Sequence, residues 1–178
     1  NQFIGGGMVC FGEDFSTIDD DRKELYRHVI PSVNSPSKAL DIFDPFCPNI
    51  LITQIHPECR DLPDWATISV VNWSDTVKDY EIIVDEMITG KMKSDRFIVS
   101  EFFTQKVLGL VNRGQMMIVY EQKPHQSQLF RVMPWNGQTP VLVNTDLHLS
   151  GGGVEVTDWK TGDGKITGKI STRWNYPV

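Results

Sequence analysis

The hydrophobic pattern of this chain changes character once. In "QFIGGGMVCFG", residues 2–12, apolar residues and glycines follow one another without alternation. Such a run fits a strand covered on both faces, as in a parallel sheet wrapped by helices. "FSTIDDDRKELYRHVIP" comes next and predicts a helix. Ser16 or Thr17 is placed to cap it, and Asp19, Asp20 and Asp21 crowd the first turn, where the helix dipole favours negative charge. Leu25 and Val29 lie one turn apart and are expected to face inward, and Pro31 ends the run. No second strand–helix repeat follows, although a strand buried on both faces needs neighbours.

Beyond the loop "NSPSK" the segments become short and rich in β-branched and aromatic residues. "NILITQI", "WATISVVNW", "YEIIVDEMI", "RFIVSEFF", "KVLGLVN", "QMMIVYEQ", "QLFRVM" and "PVLVNTDLHL" are separated by Gly, Pro, Asn and Asp. With "LDIF" and "GKITGKIS" included, roughly eight to ten strands fit. "LVNRGQMMIV" reads as a hairpin turning at Gly114, and "VTDWKTGDGKITGKI" as another around residues 162–164. The series indicates an antiparallel β-sandwich, so the fold class is mainly β with one strand–helix unit in front. The division falls at 1–38 for that unit and 39–178 for the sandwich.

Bulk properties exclude several partners. Of 178 residues, 40% are hydrophobic and 22% charged, as in ordinary globular proteins. The net charge of −6 and scattered Lys and Arg leave no basic patch for phosphates, so no nucleic acid is expected. No stretch reaches the roughly 20 apolar residues that cross a bilayer, so no membrane is expected either. The chain opens on Asn1 and carries no signal-peptide pattern, which points to processing or to a piece of a longer protein.

Cys10, Cys47 and Cys59 make an odd number. Cys10 reads as a buried thiol of the opening strand, and a Cys47–Cys59 disulfide has no framework of further cysteines behind it. No CxxC occurs, and His28, His56, His125 and His148 are far apart, so no metal site is expected. This usage fits a reduced, cytoplasmic protein.

Four segments, taken in order, resemble the C-terminal region of α-galactosidase-like (melibiase-type) glycoside hydrolases. "GGGMVCFGED…RKELYRHVIPS" is similar to the last strand and helix of their catalytic (β/α)8 barrel. "ATISVVNWSDTVKDYEI" resembles the sandwich strand that closes on Asn-Trp-Ser-Asp, and "FIVSEFFTQKVLG" a strand ending in a Gly-bounded turn. "KPHQSQLFRVMPWNGQTPVLVNTDLHLSGGGVEV" is similar to the closing stretch. The resemblance covers nearly the whole chain. It implies that residues 1–38 are the last barrel repeat, and that the rest of the barrel, carrying the catalytic carboxylates on earlier strands, is the missing partner of the same polypeptide. A homo-oligomer is compatible with it.

Retaining glycosidases need two carboxylates about 5 Å apart. Only Glu13 and Asp14 stand at the C-terminal end of the barrel-like strand, the face where barrel enzymes build their sites. The resemblance implies that this turn borders the sugar pocket; the plainer alternative is that both residues merely end a strand before a helix. No catalytic residue and no cofactor are assigned to this chain. The expected function is therefore to brace a catalytic barrel without turnover, and the alternative is a free-standing carbohydrate-binding or interaction sandwich.

Trp65, Trp73, Trp135, Trp159 and Trp174 bear on that alternative, because indole faces stack on sugar rings. Trp73 ends a strand and is expected in the core. Trp135 and Trp159 adjoin Pro- and Gly-rich turns, where they either pack under a loop or bind. Trp174 reads as part of a tail anchor, and one of Phe102 and Phe103 is expected to be buried. The two GGG runs, residues 5–7 and 151–153, lack the companions of a phosphate loop. His125 and His148 have no nucleophile motif near them and read as structural.

Overall fold

The computed structural model describes residues 10, 12–33, 35–44 and 48–171. The expected opening strand, Cys47 and Trp174 lie outside them. The first element is helix α1, Asp20–Arg27. Its cap is Asp19, whose carboxylate accepts the Arg22 N–H at 2.8 Å, rather than Ser16 or Thr17. Those two belong instead to a preceding turn in which the Thr17 N–H donates to the Asp14 carbonyl at 3.0 Å. α1 is one turn shorter than the pattern implies, and Leu25 points to solvent at 57% exposure. Val29, past the helix end, does pack inward, against Phe102 and Leu129.

Ten strands follow. A six-stranded antiparallel sheet has the order β1-β2-β3-β8-β5-β6. Its strands are β1 Ser37–Ala39, β2 Ile50–Ile55, β3 Trp65–Val71, β5 Arg96–Glu101, β6 Val107–Asn112 and β8 Ser127–Pro134. β4, Lys78–Ile83, pairs with β7, Met116–Gln122, in a second sheet, and β9, Val156–Gly162, pairs with β10, Lys165–Ile170, in a third. A single turn, α2, Glu86–Thr89, capped by Asp85, follows β4.

One face of the large sheet carries Ile50, Ile52, Ile68, Val70, Phe97, Val99, Phe130 and Val132, the alternating set that its register aligns. Tyr80, Ile82 and Val119 of the β4–β7 sheet and Ile88 of α2 close over them in one cluster. Each of these aliphatic side chains, fully buried, contributes about 1.5–3 kcal/mol. This is the two-layer sandwich that the alternation predicts. Asn72 ties its corner: the carboxamide donates to the carbonyls of Thr76, Gln122 and Lys123 at 2.7, 2.9 and 3.2 Å, and accepts from the Ser74 N–H and hydroxyl.

The other face is covered differently. "PVLVNTDLHL" forms no strand; residues 141–155 cross this face as coil, with Val141 and Leu142 packed on the cluster of Ile55, Trp65 and Met133. Its backbone groups are satisfied by other means than a ladder. The Arg131 guanidinium donates to the carbonyls of Val143 and Gly151, and the Leu149 N–H donates to the His28 carbonyl at 2.9 Å.

Three further expectations are corrected. β6 and β7 flank Gly114 but do not pair: β6 joins β5, while β7 joins β4, and the Gly114 N–H donates to the Val84 carbonyl at 2.8 Å. The turn is real, but it carries the chain between layers, because Val111 and Val119 bury against one core from opposite sides. "LDIF" is a turn, in which Asp41 accepts the N–H groups of Asn49 and Ile50. Trp73 is 44% exposed, its indole N–H donating to the Pro48 carbonyl at 3.0 Å, because β3 ends at Val71 and releases the ring from the sheet. The hairpin around residues 162–164 forms as expected. Phe102 is buried beside an exposed Phe103. Cys10 is exposed rather than buried, and Cys59 is a buried free thiol, not half of a disulfide. No helix among the described residues is long and apolar enough to cross a membrane.

Candidate functional site

Three places carry polar chemistry. The first is the acidic turn before α1. Glu13 forms an ion pair with Arg22 at 3.1 Å and accepts a hydrogen bond from the Tyr26 hydroxyl, whose pKa that bond raises. Asp14 accepts the Ser16 N–H at 2.9 Å and the Ser16 hydroxyl at 2.7 Å, and these bonds hold its pKa below the usual carboxylate value. Glu13 therefore holds the turn onto its own helix, and Asp14 closes the turn itself. Neither is among the residues that line the groove of Trp135 and Trp159 described below.

The second is a buried polar layer beneath the coil of residues 141–155. Arg131, in the middle of β8, stacks its guanidinium over the Trp65 ring, 3.9 Å from the centroid. The indole N–H of Trp65 donates to the Ser150 carbonyl at 2.9 Å. Burial pushes the guanidinium pKa down to about 9, against an opposing pull from Glu155, so the group stays charged at neutral pH. Glu155 accepts the Thr145 hydroxyl and the Val154 N–H. Buried His148 contacts the Ser150 hydroxyl and the Pro31 carbonyl, each at 2.8 Å, and its pKa is lowered by burial. This layer pins residues 28–33 to the sandwich, and its hydroxyl–imidazole pair, Ser150 and His148, is buried with the Ser150 hydroxyl accepting the Gly153 N–H at 2.9 Å, so it reads as structural.

The third is an open groove of about 1080 Å³ where the start of β5, the loop after β8 and the β9–β10 hairpin meet. Trp135 and Trp159 line it together with Arg96, Lys93 and Asn136. So two of the indoles singled out in the sequence do come together, although 24 positions apart in the chain. Arg131 and Arg96 were not singled out. For Arg131 a signal was present, a charge at an inward position of the apolar strand "LFRVM". Arg96 gives none, because it reads as the polar start of an ordinary strand. Among the described residues, no group of three or more His, Cys, Asp or Glu could hold a metal ion.

Much of the fold has a counterpart among solved structures. The chain is similar in fold to a putative alpha-N-acetylgalactosaminidase from Bacillus halodurans C-125, with a TM-score of 0.57 and 16% identity over 76% of this chain. The chain spans 29% of the Bacillus protein's length. Weaker likenesses are to α-galactosidase I from Mortierella vinacea, with a TM-score of 0.48 and 15% identity over 72% of this chain and 32% of that one, and to a GH27 β-L-arabinopyranosidase from Geobacillus stearothermophilus, with 0.40 and 16% over 58% and 20%. At these identities the likeness is one of fold. No protein-family model and no curated protein matches the sequence.

Proposed function

We propose that this chain is the C-terminal part of an α-galactosidase-like glycoside hydrolase, that it braces the catalytic barrel of the same polypeptide, and that it has no turnover alone. The observation that carries the reading is the fold likeness above, in which most of this chain matches under a third of a larger protein. In this reading residues 1–38 complete the barrel and residues 39–178 form the bracing sandwich. The turn of Glu13 and Asp14 then borders the sugar pocket, its two carboxylates spent on shaping the turn rather than on proton transfer.

An apolar edge supports the bracing role. Leu108 and Leu110 of β6, an edge strand, are 55% and 54% exposed, and Val107 and Phe103 beside them are also exposed. An uncovered apolar edge strand is a surface that a larger protein is expected to cover. Catalysis is tested by incubating the chain with nitrophenyl α-galactoside and nitrophenyl α-N-acetylgalactosaminide. The expected release of nitrophenol equals that of buffer; hydrolysis that tracks the protein through purification overturns the reading.

A further inference from the structure

The groove at Trp135 and Trp159 is lined by neither the acidic turn of Glu13 and Asp14 nor the exposed Leu108 and Leu110 of β6. We propose that it binds an acidic oligosaccharide, a short chain of hexuronic acid units, through indole contact and a guanidinium–carboxylate bond. This goes beyond the bracing role and does not rest on it.

The size comes first. At about 1080 Å³ the groove is at the top of the ~300–1,000 Å³ range that holds whole organic ligands, so it has room for more than one sugar ring. The second point is what its indoles offer. Trp135 spends its N–H inside its own turn, on the Thr139 carbonyl at 2.9 Å. That turn is fixed by Asn136, whose side-chain oxygen accepts the N–H groups of Gln138 and Thr139. What Trp135 presents to the groove is therefore carbon surface. Trp159 packs partly on the core cluster and lies against Gly168, where an added Cβ would stand 3.4 Å from the ring. Both rings are half-buried, held at one side and open at the other. Fixed, partly exposed indoles suit the C–H faces of pyranose rings.

The third point is charge. In a chain of net charge −6, the groove is lined by four cationic side chains and two carboxylates. Arg113 is committed elsewhere: it bonds the Thr89 hydroxyl and the carbonyls of Met92 and Ser94, and lies 3.4 Å from Asp95. Lys160 faces Asp158 at 3.5 Å. Lys93 and Arg96 form no ion pair among the described residues. Arg96 is also well placed, since an added Cβ on Gly137 would stand 3.2 Å from its Nη1. The guanidinium thus lies against the turn that carries Trp135. The Trp135 backbone N–H donates to the Arg96 carbonyl at 3.0 Å, and the Ser94 hydroxyl lies within hydrogen-bond distance of the Arg96 and Trp135 carbonyls, so the backbones that carry ring and charge are held together. A guanidinium beside a stacking surface suits a sugar carboxylate, which accepts its paired N–H groups.

The test titrates the full 178-residue chain with tetragalacturonate and, separately, with neutral galactotetraose, following tryptophan fluorescence and calorimetry. Tetragalacturonate is expected to bind saturably and galactotetraose much more weakly. Affinity should fall as salt rises from about 50 to 500 mM, since exposed charges are screened over that range. Trp135→Ala should weaken binding about tenfold, as loss of a central aromatic contact does. Arg96→Gln should weaken it about fivefold and flatten the salt dependence. Lys93→Gln, on an exposed side chain, guards against an unfolded Trp135 variant, and Trp73→Ala, at the exposed indole near Pro48, should change nothing. The proposal is overturned if tetragalacturonate does not saturate, if Arg96→Gln and Lys93→Gln both leave its affinity intact, or if galactotetraose binds as well. Such a failure leaves the bracing reading standing, because the nitrophenyl assay asks about catalysis only.

Discussion

Arg131 concentrates the residue-scale logic of this molecule. A charged group at the centre of a sheet is tolerated only when bonds replace its lost hydration. Here two carbonyls of the overlying coil, the Trp65 face and the field of Glu155 supply them, although Nε and Nη2 find no protein partner. Arg131→Ala is expected to lower stability in urea unfolding by about 3 kcal/mol, because it frees two buried carbonyls and leaves Glu155 uncompensated. An unchanged midpoint would contradict that account. His148 gives a pH dependence of definite sign. Burial lowers its pKa from the ordinary 6.5, so the unfolded chain takes up a proton before the folded one does. Stability should be full above about 6.5 and fall as pH drops toward the folded pKa, by at most about 1.4 kcal/mol per pH unit. His148→Gln should flatten that slope in unfolding measured between pH 7 and 5.

At the scale of elements, the coil of residues 141–155 decides how the second face is closed. Its glycines have a steric reason rather than a chemical one. At Gly153 an added Cβ would meet the Ile55 side chain at 2.7 Å, and Gly151 combines a φ of +66° with a Cβ position 2.6 Å from the Asn144 side chain. Gly153→Ala should therefore cost about 1–3 kcal/mol, the usual range for overpacking, read from the urea midpoint. β6 behaves in the opposite way. Leu110→Lys on the exposed edge should leave stability within about 0.5 kcal/mol, while reducing self-association in light scattering.

Strands β2, β3, β5 and β8 were legible as short runs of β-branched and aromatic residues bounded by turn residues, which suits strands buried on nearly every position. The Gly114 hairpin was not, since local turn chemistry cannot tell a partner in the same sheet from one in the opposing layer. "PVLVNTDLHL" misled for a related reason. Its apolar residues are buried as a strand's would be, but its backbone is satisfied by Arg131 and by the segment after α1, neither of which a local pattern reveals. The groove was half legible: both indoles were singled out, yet only the β9–β10 hairpin and the loop after β8 bring them together.

At the scale of the whole molecule, a mainly β unit with an uncovered apolar edge matches under a third of a putative alpha-N-acetylgalactosaminidase in fold. Its acidic turn is bound to its own helix through Glu13. The bracing role, and the missing barrel it requires, make a claim about the gene as much as about the protein. Sequencing the native reading frame upstream of Asn1 tests it most directly. Several hundred further codons, with strand–helix repeats carrying Asp at strand ends, are predicted; a start codon at or just ahead of position 1 would contradict the account.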